Sequence, residues 1–207
     1  MGKYFGTDGF RGEANVDLTV EHAYKVGRFL GWYYGQKNPG ERCRVVIGKD
    51  TRRSSYMFEY SLVSGLTASG ADVFLLHVTT TPSVSYVVRT EGFHCGIMIS
   101  ASHNPYYDNG IKVINEKGEK LEEAVITEIE RYLDGKMEEL PLAKRDMIGR
   151  TVDFAAGRNR YIGYLISIAT RSFKNRKVAL DCANGSASAI AKNVFDALGA
   201  QTFVINN

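Results

Sequence analysis

Features that would mark a specialised class of protein are scarce in this sequence. Its 207 residues contain only three cysteines, Cys43, Cys95 and Cys182, which are widely spaced and form no CxxC pair. This argues against a disulfide framework or a zinc site and favours reduced thiols. The N-terminus lacks the layout of a signal peptide, and no apolar run is long enough to cross a membrane. We therefore expect a cytoplasmic protein without a membrane partner.

Excess charge of one sign is also scarce. Lysine and arginine number 26 against 23 aspartates and glutamates, which gives a formal net charge of +3. The two signs are interspersed along the chain, so the sequence predicts no broad basic face and no nucleic-acid partner. Local binding of an anion remains compatible with this composition.

Hydrophobic residues make up 44% of the chain, enough for a buried core. Their spacing alternates between the helical period and short β-branched runs. We predict helices over 18–34, 55–69, 82–89 and 122–133, and strands over 44–47, 72–78, 95–100 and 111–114. Alternating elements of this kind are typical of an α/β fold in which helices cover a sheet.

Residues 134–152 are polar and aperiodic, which predicts a domain boundary. We assign residues 1–150 to a first domain and residues 151–207 to a connection and the start of a second. In the second segment VALDCAN, a helix and GAQTFVI repeat the pattern of VVIGKD, a helix and GADVFLL. This pattern fits either a duplication or two unrelated βαβ units. Because the sequence stops after a predicted strand, we expect the second sheet to be incomplete.

The strongest local pattern is ISASHNPYYDNGIKV, residues 99–113, in which a polar loop separates two apolar runs. Its turn-forming pairs alone favour a simple hairpin loop. Ser102 is followed by His103, and neighbouring side chains on an extended backbone point to opposite faces, so we expect no hydrolase-type dyad. A serine at a loop tip is better suited to carry a phosphoryl group, held by backbone amides, His103, Lys112 and a divalent cation.

Two glycine-containing runs miss the nucleotide-binding consensus patterns. FGTDGFRG has the spacing GxxGxxG and no predicted strand before it, so it is not a dinucleotide fingerprint. Arg11 in this run is either a bidentate phosphate ligand or an exposed side chain in a mobile terminus. GKDTRRSS, residues 48–55, follows a predicted strand but departs from the Walker pattern. There we expect Arg52 and Arg53 to support a loop or to pair with Asp50.

Taken together, FGTDGFRG, GKDTRRSS, TTTPSVSYVV and SASHNPYYDNGIKV resemble, in order and spacing, the N-terminal domain of the phosphohexose mutases. The opening run and HNPYYDNGIK are most similar to the bacterial phosphoglucosamine mutase branch of that superfamily. The resemblance covers essentially the whole chain, since VALDCANGSAS is similar to the start of the family's second domain. It implies a mixed β-sheet covered by helices, followed by the incomplete start of a second α/β domain.

The resemblance also implies roles for individual residues. Ser102 would be the phosphoryl donor and acceptor. Lys112 and Arg11 would lie near the transferring group as acid/base or charge-stabilising residues, and His103 and Asn104 would line the site. Arg11, Asn104 and Lys112 would bind substrate phosphate. The implied reaction, a step towards bacterial cell-wall amino sugars, interconverts glucosamine 6-phosphate and glucosamine 1-phosphate through a bound glucosamine 1,6-bisphosphate.

One Mg²⁺ per active site is implied as well, with Ser102 as a ligand through its phosphate. The family's D-G-D-x-D-R metal loop, its sugar-recognition loop and its C-terminal domain do not occur in these 207 residues. We therefore expect the chain alone to have little or no activity. The open edge of an unfinished sheet favours pairing with another chain, so a homodimer is a further expectation.

Three alternatives stay open at this point. The first is a mutase of the same superfamily that acts on mannose or glucose phosphates. The second is a non-catalytic phosphate-binding module in which Ser102 is only a turn residue. The third is a purely structural, dimer-forming chain.

Overall fold

The computed structural model describes residues 2–207, which form two β-sheets and the helices that flank them. The strands of this part of the chain are β1 (Phe5–Gly6), β2 (Gly9–Glu13), β3 (Arg44–Lys49), β4 (Asp72–Val78), β5 (Cys95–Ile99), β6 (Asp108–Asn115), β7 (Thr151–Asp153), β8 (Lys177–Asp181) and β9 (Gln201–Ile205). The α-helices are α1 (Val20–Lys37), α2 (Arg53–Ala68), α3 (Thr81–Glu91), α4 (Glu123–Leu133), α5 (Ala155–Ser167) and α6 (Ser188–Ala197), and Arg145–Met147 forms a 3₁₀ turn.

The larger sheet has the strand order β1-β2-β6-β5-β3-β4-β7. β3 runs parallel to β4 and β5, and β7 runs parallel to β4. β6 is antiparallel to both β5 and β2. The predicted mixed, helix-covered sheet is therefore confirmed. The central strand β5 reads as an unbroken apolar run because helices cover both of its faces, and all of its residues are buried.

One apolar cluster lies on each face of this sheet. Val45 and Ile47 of β3 belong to the larger cluster and Val46 to the smaller one, because successive side chains of a strand alternate between faces. Helices α1, α2 and α4 contribute to the larger cluster and α3 to the smaller. Full burial of each large apolar side chain contributes about 1.5–3 kcal/mol relative to exposure. These clusters make the sheet a rigid base for the loops at its edges.

The N-terminal run FGTDGFRG forms a hairpin, which the sequence did not predict. β1 pairs with β2, and β2 pairs with β6 so that Arg11 stands opposite Gly110. Gly9 adopts a φ of +99°, and a Cβ atom there would lie 2.4 Å from the Ile111 carbonyl oxygen. Strands this rich in glycine carry little β-propensity signal. Arg11 is therefore held on a paired strand, and the alternative of a mobile terminus is wrong.

After α4, the chain contacts elements of the larger sheet domain again before it forms the second sheet. Arg28 is 1% exposed and binds the carbonyl oxygens of Leu140 and Pro141, the latter at 3.3 Å. Thr151–Asp153 then joins the larger sheet as β7, and β8 and β9 form a separate parallel pair with α6 beside them. The division into residues 1–150 and 151–207 stays a prediction.

Within residues 2–207, none of the helices combines the length and apolarity needed to cross a membrane. Cys43, Cys95 and Cys182 are buried free thiols. Burial raises the pKa of the Cys43 thiol to about 12. A thiol with so high a pKa is an inert core residue at neutral pH, which agrees with its predicted role.

Candidate active site

Three loops of the larger sheet meet at the carboxyl ends of its parallel strands. Residues 50–52 follow β3, residues 79–80 follow β4, and residues 100–107, here named the serine loop, follow β5. A cleft of about 1170 Å³ is lined by parts of all three loops. Carboxyl ends of strands are the usual ligand-binding edge of an α/β sheet.

Ser102 lies exposed at the tip of the serine loop, which connects the antiparallel strands β5 and β6. The Ser100 amide donates to the Gly110 carbonyl (2.9 Å) and closes the base of the loop. The Ser102 amide donates to the Ser100 hydroxyl (3.1 Å). Ser102 has a φ of +60°, in the left-handed region that serine rarely adopts. The surrounding contacts therefore determine its backbone conformation.

His103 approaches the Ser102 hydroxyl, with Nδ1 3.3 Å from Oγ. The prediction that these neighbouring side chains point apart is wrong. It assumed an extended backbone, whereas the left-handed conformation of Ser102 turns the two side chains to the same side. The imidazole is thus placed to donate a hydrogen bond to a phosphoryl group on Ser102.

Arg52 lies beside the serine loop and contacts it through the backbone. Its Nε donates to Asp50 Oδ2 at 2.9 Å, so the predicted pairing with Asp50 is confirmed. Its terminal nitrogens donate to four carbonyl oxygens, those of Ser102 (3.2 Å), Asn104 (2.8 Å), Asp108 (3.0 Å) and Pro105. The neighbouring Arg53 is exposed and lines the cleft.

A buried polar network fixes the base of the loop. Asp50 is 7% exposed and accepts from the Ser55 hydroxyl (2.7 Å). The fully buried Asn109 donates to Ser55 Oγ (3.0 Å) and Ser54 Oγ (2.8 Å). Satisfied networks in a low-dielectric interior are rigid. The network joins the start of α2 to the start of β6.

Asn104 lines the cleft, but its side chain is used within the loop. Its Nδ2 donates to Asp108 Oδ2 at 2.9 Å, and its backbone amide donates to the Ala101 carbonyl at 3.1 Å. In this structure Asn104 therefore stabilises the loop. Its predicted role as a phosphate ligand stays a prediction.

Arg11 and Lys112 come from the adjacent strands β2 and β6. Arg11 Nη2 lies 3.1 Å from Asp8 Oδ2, while its buried Nε has no hydrogen-bond partner among the described residues. Lys112 is half-buried, and this burial together with the charge of Arg11 lowers the pKa of its ammonium group. A lysine with a lowered pKa is better suited to proton transfer near neutral pH.

The cleft brings together four of the five predicted site residues, namely Ser102, His103, Asn104 and Lys112. Among the described residues that line it, Arg11 does not appear, since it lies one strand further along the sheet beside Lys112.

The opposite wall of the cleft was not predicted. It is formed by the loop after β8, residues 183–186, and Thr51 Oγ1 donates to the Asn184 carbonyl at 2.8 Å across the gap. The one sequence signal for a ligand-facing loop at this position was the repeated strand-to-helix pattern of VALDCANGSAS.

The described residues do not by themselves form a magnesium site. In residues 2–207, no three His, Cys, Asp or Glu side chains gather where they could hold a metal ion. Three carboxylates of this region already have partners: Asp8 with Arg11, Asp50 with Arg52, and Asp108 with Asn104. Mg²⁺ requires near-octahedral oxygen coordination. A phosphate on Ser102 would supply only part of it.

A protein-family model and several curated proteins match this chain. The family described as "Phosphoglucomutase/phosphomannomutase, alpha/beta/alpha domain I" matches residues 2–139. Phosphoglucosamine mutases of Lachnospira eligens and Lachnoclostridium phytofermentans are 72% and 73% identical to this chain over 206 residues, which is 100% of its length. The chain spans 46% and 45% of these relatives, less than half of their length.

Solved structures share the fold at low sequence identity. A phosphoglucomutase/phosphomannomutase family protein from Burkholderia thailandensis superimposes with a TM-score of 0.79 at 22% identity, covering 98% of this chain and 43% of that one. The phosphoprotein pp63/parafusin from Paramecium gives a TM-score of 0.70 at 21% identity, covering 99% of this chain and 43% of that one. At these identities the likeness establishes the fold.

Proposed function

Because the chain belongs to the phosphoglucomutase/phosphomannomutase family, we propose that it supplies the phosphoserine part of a phosphoglucosamine mutase, an isomerase of the intramolecular phosphotransferase class. The observation that carries the proposal is the exposed Ser102 hydroxyl, held at a loop tip in the same cleft as Lys112. The choice of sugar rests on relatives of 72% and 73% identity that bear this name. The substrate class is therefore a glucosamine phosphate.

The proposed reaction consists of two phosphoryl transfers. Phosphorylated Ser102 gives its phosphoryl group to the free hydroxyl of glucosamine 6-phosphate, the Ser–O–P bond breaks, and a new bond to the sugar oxygen gives glucosamine 1,6-bisphosphate. The sugar hydroxyl loses a proton, and Ser102 Oγ gains one. The 6-phosphoryl group then returns to Ser102, which releases glucosamine 1-phosphate. Such transfers depend mainly on positioning and on neutralising the phosphoryl oxygens.

Lys112 and Arg11 have distinct proposed tasks in this scheme. Lys112 accepts and returns the hydroxyl proton, a task suited to an amine whose pKa is lowered by burial and by a neighbouring cation. Arg11 lies on the strand beside Lys112 and contributes positive charge near the phosphoryl oxygens. His103 Nδ1 donates to the group on Ser102. Asn104 lines the site in this proposal.

The remaining parts of the proposal concern cofactor, partners and location. Mg²⁺ is the proposed metal, which neutralises phosphoryl charge when bound, and the Ser102 phosphate is the one ligand that these residues offer. Sugar phosphates are the proposed partners, without nucleic acid or membrane, and a homodimer is tested by light scattering. Buried free thiols support a cytoplasmic location.

A chimera tests the proposal with a meaningful negative result. Residues 1–207 are joined to the part of the Lachnospira eligens relative that lies beyond its match to this chain. We expect this chimera to convert glucosamine 6-phosphate to glucosamine 1-phosphate, and Ser102→Ala to abolish the conversion. A folded but inactive chimera, beside an active relative, would contradict the assignment.

A non-catalytic phosphate-binding module is the second candidate, favoured by the cationic side chains of Arg53 and Lys112 that line the cleft. It predicts that Ser102→Ala leaves phosphate binding intact and that wild-type Ser102 is never labelled. Peptide mass spectrometry of Ser102 in the chimera distinguishes the two candidates, because both allow phosphate to bind to Ser102→Ala.

A further inference from the structure

We infer that Arg52 is a positioning residue for phosphoryl transfer, because it holds the serine loop in the conformation that presents Ser102. The inference rests on the proposed function for its catalytic part. Its structural part, the ordering of the loop, stands on contacts alone.

The guanidinium of Arg52 binds the backbone of the serine loop at several points. Its terminal nitrogens bind four carbonyl oxygens between positions 102 and 108, and its Nε binds Asp50. Guanidinium has five N–H donors in a fixed planar fork, so one side chain can hold several acceptors at set directions. Lysine has one nitrogen and cannot span the same set.

Asp50 connects the Arg52 guanidinium to the central strands of the sheet. Asp50 directly follows β3, and its amide donates to the Ile99 carbonyl at the end of β5 (2.9 Å). Its carboxylate is held by the Ser55 hydroxyl and by the Arg52 backbone amide (3.1 Å). The side chains of Arg52 and Asp50 are only 11% and 10% exposed, so water cannot readily replace their contacts. Arg52 thus fixes the position of the serine loop relative to β3 and β5.

Arg52 acts chiefly through geometry, because Asp50 balances its charge at close range. A free cation would attract the phosphoryl group from many positions, whereas this ion pair has no net charge. The Arg52 guanidinium holds the loop carbonyl oxygens at fixed positions, although these oxygens would otherwise repel one another. The left-handed backbone of Ser102, a conformation that costs about 1–3 kcal/mol, needs such outside support.

Arg52→Lys tests the catalytic part in the chimera described above, because residues 1–207 alone are expected to have little or no activity. The rate of Ser102 phosphorylation is measured by peptide mass spectrometry over a range of glucosamine 1,6-bisphosphate concentrations with Mg²⁺. We expect a maximal rate about 10–100-fold lower, since a displacement of about 1 Å can cost 10²-fold. The half-saturating concentration should change less than about threefold, because Arg52 acts on the loop and does not touch the sugar phosphate.

Arg171→Lys is the matched control, since Arg171 is exposed between α5 and β8. Arg171→Lys should leave the rate of Ser102 phosphorylation and the midpoint of thermal unfolding unchanged. A wild-type rate in Arg52→Lys would overturn the catalytic part, and so would a loss explained by a higher half-saturating concentration alone.

Hydrogen–deuterium exchange tests loop ordering without any phosphoryl transfer. In Arg52→Lys, amides of residues 100–108 should exchange faster while those of β3 and α1 keep their protection. Asp50→Asn, which keeps the guanidinium but weakens its anchor, should give a smaller change in the same segment and serves if Arg52→Lys fails to fold. Unchanged exchange in the folded variants would overturn the inference. Faster loop exchange with no labelling of Ser102 in the chimera without substitutions would instead overturn the proposed function and leave only the ordering role.

Discussion

Lys112 on β6 lies beside Arg11 on the adjacent strand β2, and burial together with the charge of Arg11 lowers the pKa of Lys112. Removing that charge by Arg11→Gln should therefore raise the pKa of Lys112 towards its ordinary value of 10.5. If unprotonated Lys112 is the base, the rising limb of the pH–rate profile for Ser102 phosphorylation should move to higher pH, in addition to any loss of rate. A limb that stays in place would remove Lys112 from the proton-transfer role.

Asn109 connects the serine loop to α2 through buried hydrogen bonds. Asn109→Ala leaves Ser54 and the Gly110 amide without these partners, and each unsatisfied buried group costs about 1–3 kcal/mol. We expect urea unfolding to show a loss of at least this size. Asn193→Ala, at an exposed position of α6, is the control and should change stability by less than about 0.5 kcal/mol. Equal effects of the two changes would show that the network adds nothing.

Lys49 of β3 and Glu59 of α2 form a buried ion pair, with side chains 3% and 2% exposed. Glu59→Leu leaves the lysine charge buried and unpaired, which should cost about 3–5 kcal/mol. The double change Lys49→Met with Glu59→Leu removes both charges and should recover most of this loss. Denaturant unfolding of the double-mutant cycle measures both values, and a double variant as unstable as the single one would refute the explanation.

Glycines on the first two helices should respond in opposite ways to alanine. A Cβ atom at Gly65 of α2 would lie 2.2 Å from the Tyr24 carbonyl oxygen, so Gly65→Ala should destabilise by about 1–3 kcal/mol through overpacking. Gly35 of α1 has open space around its Cβ position, and Gly35→Ala should stabilise by about 0.5–1 kcal/mol. Thermal unfolding distinguishes them, and a tolerated Gly65→Ala would show that the helices can move apart.

Much of the fold was predictable because buried elements have regular periods. The strand over 72–78 has its predicted bounds, and the helices differ from prediction by a few residues at their ends. β2 was missed because its glycines carry no strand signal, and Thr151–Asp153 because three residues show no period. Both strands form only when the neighbouring strand is in place, so tertiary contacts decide them.

The site was predictable to the extent that its chemistry lies within one segment. Ser102, His103 and Lys112 line the cleft as expected from their loop and strand positions. The approach of His103 to Ser102 was not predictable, since it depends on a left-handed φ that the loop contacts impose. The carbonyl contacts of Arg52 and the Asn184 wall join segments that are 50 or more positions apart, and no local pattern reports them.

The central claim is that Ser102 carries a phosphoryl group, and mass spectrometry tests it most directly. The chimera of residues 1–207 with the remaining part of the Lachnospira eligens relative is incubated with glucosamine 1,6-bisphosphate and Mg²⁺, and its intact mass and peptides are compared before and after. We predict one added phosphate, located on Ser102 and missing in Ser102→Ala. An unmodified chimera beside a labelled relative, or a phosphate on another residue, would contradict the account.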